Sequence, residues 1–182
     1  MILYLDTNVL IYGLASNPRF RDPAHRWLDW YAAQSGALAV TSRLTVLETL
    51  IGPIKKKDPV RQRNMETALN EVLILDLDDA VVRRAATIRA AHRFKTPDAL
   101  HLATAVEAHA DIDLTADRRL QSFREVRVVD IARKARRPST AEVAFDLDGT
   151  ASVHSTPQSE SSSSQLHETR ADMIARSRTM GP

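Results

Sequence analysis

The sequence predicts an α/β fold, a three-layer sandwich with a central, mostly parallel sheet flanked by helices. Three observations carry that prediction. Short apolar, β-prone runs alternate with longer segments of helical period. Asp-Pro pairs open two of the helical segments, and Gly36 and Gly52 each close one. The N-terminal run "ILYLDTNVLI" is almost wholly apolar and reads as a buried strand leading into a helix.

The elements follow in order. "ILYL" (2–5) is a strand and residues 8–16 are helical. "DPAHRWLDWYAAQ" (22–34) is a helix with Asp22 as N-cap and Pro23 at its first position, closed by Gly36. "ALAVT" (37–41) is the second strand. "SRLTVLETLIG" (42–52) is a helix capped by Ser42 and stopped by Gly52-Pro53. "DPVRQRNMETALNEV" (58–72) repeats the Asp-Pro start, and "LILDL" (73–77) is the third strand. Helices at 78–93 and 96–110 precede a fourth strand, "IDLT" (112–115), a short helix "DRRLQSF", and a fifth strand, "VRVVDI" (126–131). Strands alternating with helices imply a sheet covered on both faces.

The 182 residues are 43% hydrophobic and 26% charged, enough for one domain with a core of its own. No cysteine is present, which excludes a disulfide framework and a thiolate metal site and fits a reducing compartment. No apolar stretch approaches the ~20 residues of a membrane span. The N-terminus lacks signal-peptide character, so a cytoplasmic protein is expected. Residues 1–137 carry 22 basic and 17 acidic side chains, a net +5, while residues 138–182 carry 3 and 6, a net −3. A basic body is compatible with a polyanionic partner. Composition changes near Pro138, so 1–137 is read as the domain and 138–182 as a Ser-rich, disordered tail.

Four acids fall in special places. Asp6 follows the first strand and Asp117 the fourth, which puts both on the rim where ligands bind in such sheets. Glu48 lies mid-helix in "LTVLETLI", and Asp98 opens the helix "TPDALHLATA". Each has a plain alternative: a helix cap for Asp6 and Asp117, a first-turn acid for Asp98, a solvated polar stripe with Thr45 and Thr49 for Glu48. Taken jointly, converging carboxylates repel one another and need positive charge between them. Mg²⁺ and Mn²⁺ prefer such oxygen ligands, and a site of this kind can generate a nucleophilic hydroxide.

"YLDTNVLIY", "LTVLETL", "TPDALHLATA" and "LTADRRL", in this order over residues 2–131, resemble the PIN-domain family, most of all the VapC-type toxins of toxin–antitoxin pairs. The resemblance implies a PIN-like fold and a Mg²⁺- or Mn²⁺-dependent endoribonuclease. Asp6, Glu48, Asp98 and Asp117 then fall on the four family acids, as catalytic and metal-binding residues. Asn8 would orient Asp6, and Thr115 would hold a water or phosphate oxygen. The resemblance also implies a cognate protein antitoxin and a homodimer. Leu120 departs from it, standing where many relatives carry an aromatic, and so does Ala116, at a position that is often polar.

RNA must be held by its phosphates. Arg118 and Arg119 adjoin Asp117 and are the candidate substrate contacts; Lys55–Lys57, Arg61 and Arg63 form another basic run, and the run at 133–137 reads as solvated surface. His101, three residues after Asp98, shares its helix face, and packing is favoured there over metal ligation. Trp27, Trp30 and Tyr31 have core-like spacing, so packing or a dimer contact is favoured over base stacking. "VAFDLDGT" (143–150) resembles the nucleophile motif of haloacid-dehalogenase-type phosphatases, but only 34 residues follow Asp148, with no further strands for that fold. The competing functions are a PIN-like RNA-processing nuclease without a toxin role and a non-catalytic RNA- or protein-binding module. A pure binder has no use for four acids beside an anionic ligand.

Overall fold

A computed structural model describes residues 1–132. The expected tail, its "FDLDGT" stretch and the 133–137 basic run lie outside the described residues. The chain runs β1 (Ile2–Leu5), α1 (Thr7–Gly13), α2 (Pro18–Ala32), β2 (Leu38–Ser42), α3 (Arg43–Lys56), α4 (Pro59–Asn70), β3 (Leu73–Leu75), α5 (Asp79–His92), α6 (Thr96–Glu107), β4 (Ile112–Thr115), a short 3₁₀ helix (Arg118–Ser122) and β5 (Arg127–Asp130).

The five strands order as β3-β2-β1-β4-β5, and every pairing is parallel. The order reverses beside β1: the chain builds outward through β2 and β3, then returns to add β4 on the other side. A crevice opens at such a reversal, beyond the carboxyl ends of the two central strands. Helices α5 and α6 pack on the face that carries Tyr4 and Val40. Alternation directs Leu3 and Leu5 to the opposite face, and both are fully buried, so helices cover the sheet on both sides. There α1 packs against α2, α3 and α4.

The largest differences from the sequence reading are at two helix boundaries, the start of α2 and the end of α3. Helix α2 starts at Pro18, capped by Asn17, whose side chain accepts from the Arg19 N–H; Pro23 lies inside the helix. Asn17-Pro18 and Asp22-Pro23 are equivalent start signals, and a proline this early removes only one intrahelical bond. Helix α3 runs through Gly52-Pro53 to Lys56 and ends where Lys57 turns left-handed at φ 51°. Pro53 is buried, and its fixed φ suits the helix. Trp27 and Trp30 are buried edge-to-face with ring centroids 5.6 Å apart, which assigns them to packing. Among the described residues no helix is long and apolar enough to cross a membrane.

Candidate active site

The site is built outward from the end of β1. The Asp6 N–H donates to the Leu114 carbonyl (3.0 Å), which continues the β1–β4 ladder by one residue. Asp6 then takes the N-cap position of α1 with its backbone alone, because its side chain makes no capping bond. The carboxylate is only 5% exposed, and its Oδ2 accepts from the Thr115 hydroxyl at 2.5 Å. Thr115 Oγ1 in turn accepts from the Asp117 N–H (3.0 Å), tying the end of β4 to the turn beyond it. Asp6 therefore has one short local bond and remains directed at the cleft.

Glu48 reaches the cleft from α3. The polar stripe of that helix faces inward: Thr45 and Thr49 are buried, while Leu47, Ile51 and Ile54 are 59%, 53% and 58% exposed. The expected solvated stripe is thus inverted. Buried hydroxyls explain it. Thr41 donates to the Leu5 carbonyl or to Thr45 Oγ1, both at 2.7 Å, and Thr7 lies beside Thr45 at 3.3 Å. Glu48 Oε2 accepts from the Thr7 hydroxyl at 2.5 Å and faces His101 Nε2 at 3.1 Å. The hydrogen bond from His101 holds the Glu48 carboxyl below its usual range, against the opposing effect of partial burial.

His101 lies on α6, 4% exposed, with Nε2 also 3.7 Å from Asp6 Oδ1 and Nδ1 2.7 Å from the Tyr4 hydroxyl. Burial pulls its pKa down, but Glu48, Asp6 and Asp113 outweigh burial and leave it above the ordinary histidine value. Asp98 and Asp117 form the other half of the site. Asp117 Oδ1 caps the 3₁₀ helix by accepting from the Arg119 N–H (2.9 Å), so the capping alternative is realised there. The Arg119 guanidinium also contacts both Asp117 oxygens and approaches Asp98 Oδ2 at 3.6 Å. That hydrogen bonding keeps the Asp117 carboxyl below its usual range. Arg118 turns away, 3.8 Å from Asp130 on β5.

One cleft of about 350 Å³ is lined by Asp6, Glu48, Asp98, Asp117, Asn8 and His101, among others. All four sequence-predicted acids therefore meet in one place. Asn8 borders the cleft, but the hydrogen bond that holds Asp6 comes from Thr115. The acids divide into two pairs, each beside one basic group: His101 by Asp6 and Glu48, Arg119 by Asp98 and Asp117. As they stand, no three His, Asp or Glu side chains among the described residues are grouped closely enough to hold a metal ion. The donor chemistry nonetheless fits a hard dication. Every acid offers oxygen, and two of them already face one guanidinium. Sequence reasoning missed the Thr7–Glu48 bond and the Tyr4–His101 contact, although the spacing of His101 from Asp98 was a signal. It also missed Asp113, an acid inside the buried strand β4.

The PIN-domain family model matches residues 3–128. The chain belongs to the PIN-domain family. Its fold is also that of several solved structures, one of them a toxin–antitoxin complex from Klebsiella pneumoniae. FitAcB from Neisseria gonorrhoeae is 28% identical at a TM-score of 0.57, covering 72% of this chain and 98% of that one. VapBC2 from Rickettsia felis, bound to a promoter DNA fragment, is 19% identical at a TM-score of 0.61, covering 71% and 98%. VapC20 from Mycobacterium tuberculosis, described as a toxin that cleaves the sarcin–ricin loop, is 18% identical at a TM-score of 0.51, covering 69% and 98%. None of the curated proteins matches the chain. The four acid-bearing blocks all lie within the matched span, and the cleft gives their common location.

Proposed function

We propose that this PIN-domain chain is a Mg²⁺- or Mn²⁺-dependent endoribonuclease, the toxin of a toxin–antitoxin pair, acting in the cytoplasm. The observation that carries the reading is Asp6. It is a nearly buried carboxylate at a helix start that caps nothing and faces three further acids across the cleft. A buried ionised carboxylate is costly without a cation. Asp6, Asp98, Asp117 and Glu48 would hold the dication. When bound, it supplies a Lewis acid for the phosphoryl oxygens and lowers the pKa of a water.

The chain's own residues do the rest. Thr115 fixes Asp6. Glu48 orients the attacking water, whose oxygen bonds to phosphorus as the bond to the leaving ribose oxygen breaks. Arg119, on the open rim of the cleft and 60% exposed, exchanges its carboxylate partners for a phosphate of the RNA. Two features support a protein antitoxin: Leu47, Ile51 and Ile54 form an exposed apolar stripe whose Ile51 lines the cleft, and the similar structure from Klebsiella pneumoniae is a toxin–antitoxin complex. Homodimerisation belongs to the same reading.

Expression of the wild-type chain should arrest growth and generate discrete new RNA 5′ ends, and Asp98→Ala or Asp6→Asn should do neither. Purified protein should lose at least ~100-fold in Mn²⁺-dependent cleavage in either variant, since removing even an outer partner of a ligand costs 10–100-fold. Equal cleavage by wild type and Asp6→Asn would overturn the assignment. Cleavage without growth arrest would favour an RNA-processing nuclease.

A further inference from the structure

We infer that His101 is a positioning residue for Glu48, with its ring set by Tyr4, so that Glu48 presents one defined oxygen to the cleft. The inference rests on the nuclease reading and adds to it residues from the sheet interior.

The geometry is fixed from below. Tyr4 is the third residue of β1 and is fully buried, and its hydroxyl meets His101 Nδ1 at 2.7 Å. The two rings stand edge to face at 6.0 Å, so the imidazole is held by packing as well as by that bond. Its other nitrogen, Nε2, then points at Glu48 Oε2 (3.1 Å), with Asp6 Oδ1 further off at 3.7 Å. An ionised carboxylate only accepts, so the proton must be on Nε2. The Tyr4 hydroxyl can accept from or donate to Nδ1, so it holds the ring in place for Glu48 whether the imidazole is charged or neutral.

Thr7 completes the arrangement. Its hydroxyl donates to the same Oε2 at 2.5 Å, and the residue is buried next to Asp6. Two donors from different elements, α1 and α6, thus converge on one oxygen of Glu48. Among the described residues Glu48 Oε1 has no hydrogen-bond partner. The carboxylate is therefore pinned by Oε2 and free at Oε1, the state required to accept from a water or to ligate a cation. A mid-helix glutamate without these donors would swing among rotamers, because its side chain is 30% exposed. Tyr4, Thr7 and His101 come from three separate elements and have no motif among themselves, so only the folded chain reveals the set.

The test is a double-mutant cycle on the full chain, with Mn²⁺ affinity by calorimetry and cleavage of a fluorescent mixed-sequence single-stranded RNA as its two readouts. Glu48→Gln, His101→Leu and the combination are compared with wild type. His101→Leu should lower kcat 10–100-fold with KM within about twofold. In the Glu48→Gln background the same change should cost less than about twofold in either readout, because a residue acting through Glu48 has nothing left to position. His101→Gln, which keeps a side-chain N–H donor, should recover most of the loss. Thermal melts identify any variant that fails to fold, and Tyr4→Phe then supplies a second perturbation of the same ring. Additive effects of His101→Leu and Glu48→Gln, or no rescue by His101→Gln in a folded protein, would overturn the positioning role. A wild-type chain that neither binds Mn²⁺ through its carboxylates nor cleaves RNA would overturn the nuclease reading and this inference with it.

Discussion

Two residues of opposite character, Asp6 and Arg119, determine how the cleft works. Asp6 is nearly enclosed and held by a single hydroxyl, so its charge is poorly solvated and its geometry is tight. Arg119 is mostly exposed and paired with two carboxylates by contacts that water and salt weaken. On the proposed metal-dependent reading it is an internal cation that a dication would displace. Arg119→Ala should raise Mn²⁺ affinity about two- to fivefold at low salt, and the gain should shrink as salt rises. RNA affinity should fall in the same variant, since the freed guanidinium would have bound phosphate. Calorimetry at two ionic strengths checks both; unchanged Mn²⁺ affinity would mean that Arg119 does not compete for the site.

Elements place these residues through their ends. Helix α1 starts after Asp6, α6 starts two residues before Asp98, and the 3₁₀ helix starts after Asp117, so three of the four acids sit at element boundaries. Glu48 is the exception and needs the inverted helix α3, whose buried threonines replace the usual apolar core face. Helix α5 supports the arrangement from behind by packing on α6. Its cap is conventional: Asp78 accepts from the Val81 N–H at 2.9 Å. Asp78→Ala should cost about 1 kcal/mol of folding stability, seen as a fall of a few degrees in Tm. Mn²⁺ affinity should not change, because α5 contributes no residue to the cleft. A change in affinity with Tm intact would show that α5 transmits to the site.

At the scale of the whole molecule, folding imposes an electrostatic load on the sheet. Asp113 on β4 lies beside Tyr4 on β1, is wholly buried, and has no hydrogen-bond partner for either oxygen among the described residues. Burial, with Asp6 adding to it and His101 opposing, raises its pKa from 3.8 to about 8. The unfolded chain releases this proton near 3.8 and the folded chain only near 8, so the folded state holds more protons in between. Stability contributed by this group is therefore lost as pH rises from about 4 to about 8, at up to roughly 1.4 kcal/mol per pH unit, and is level above that. Asp113→Asn removes the titration while keeping the shape. Its stability relative to wild type should rise between pH 5 and pH 8, by a few kcal/mol in all, in denaturant melts. A difference that stays flat across that range would place the Asp113 carboxyl in contact with water.

The sequence by itself determined the alternation of strands and helices, the parallel sheet, and the four acids as a set. These features are local: apolar period, cap chemistry and acids at strand ends follow from near neighbours in the chain. The Asp-Pro start at residue 22 and the stop at Gly52-Pro53 misled because each is a tendency that packing overrides, as the buried Pro53 does in α3. Only the tertiary structure decided which side of α3 faces inward, which partner holds Asp6, and what stands beside Glu48. Those outcomes depend on contacts between residues 38 to 109 positions apart, Thr7 with Thr45, His101 with Tyr4, Thr115 with Asp6. Hydroxyls and an imidazole have no periodicity along the chain. Their partners are fixed when the order of strands about β1 brings β4, α3 and α6 to one crevice.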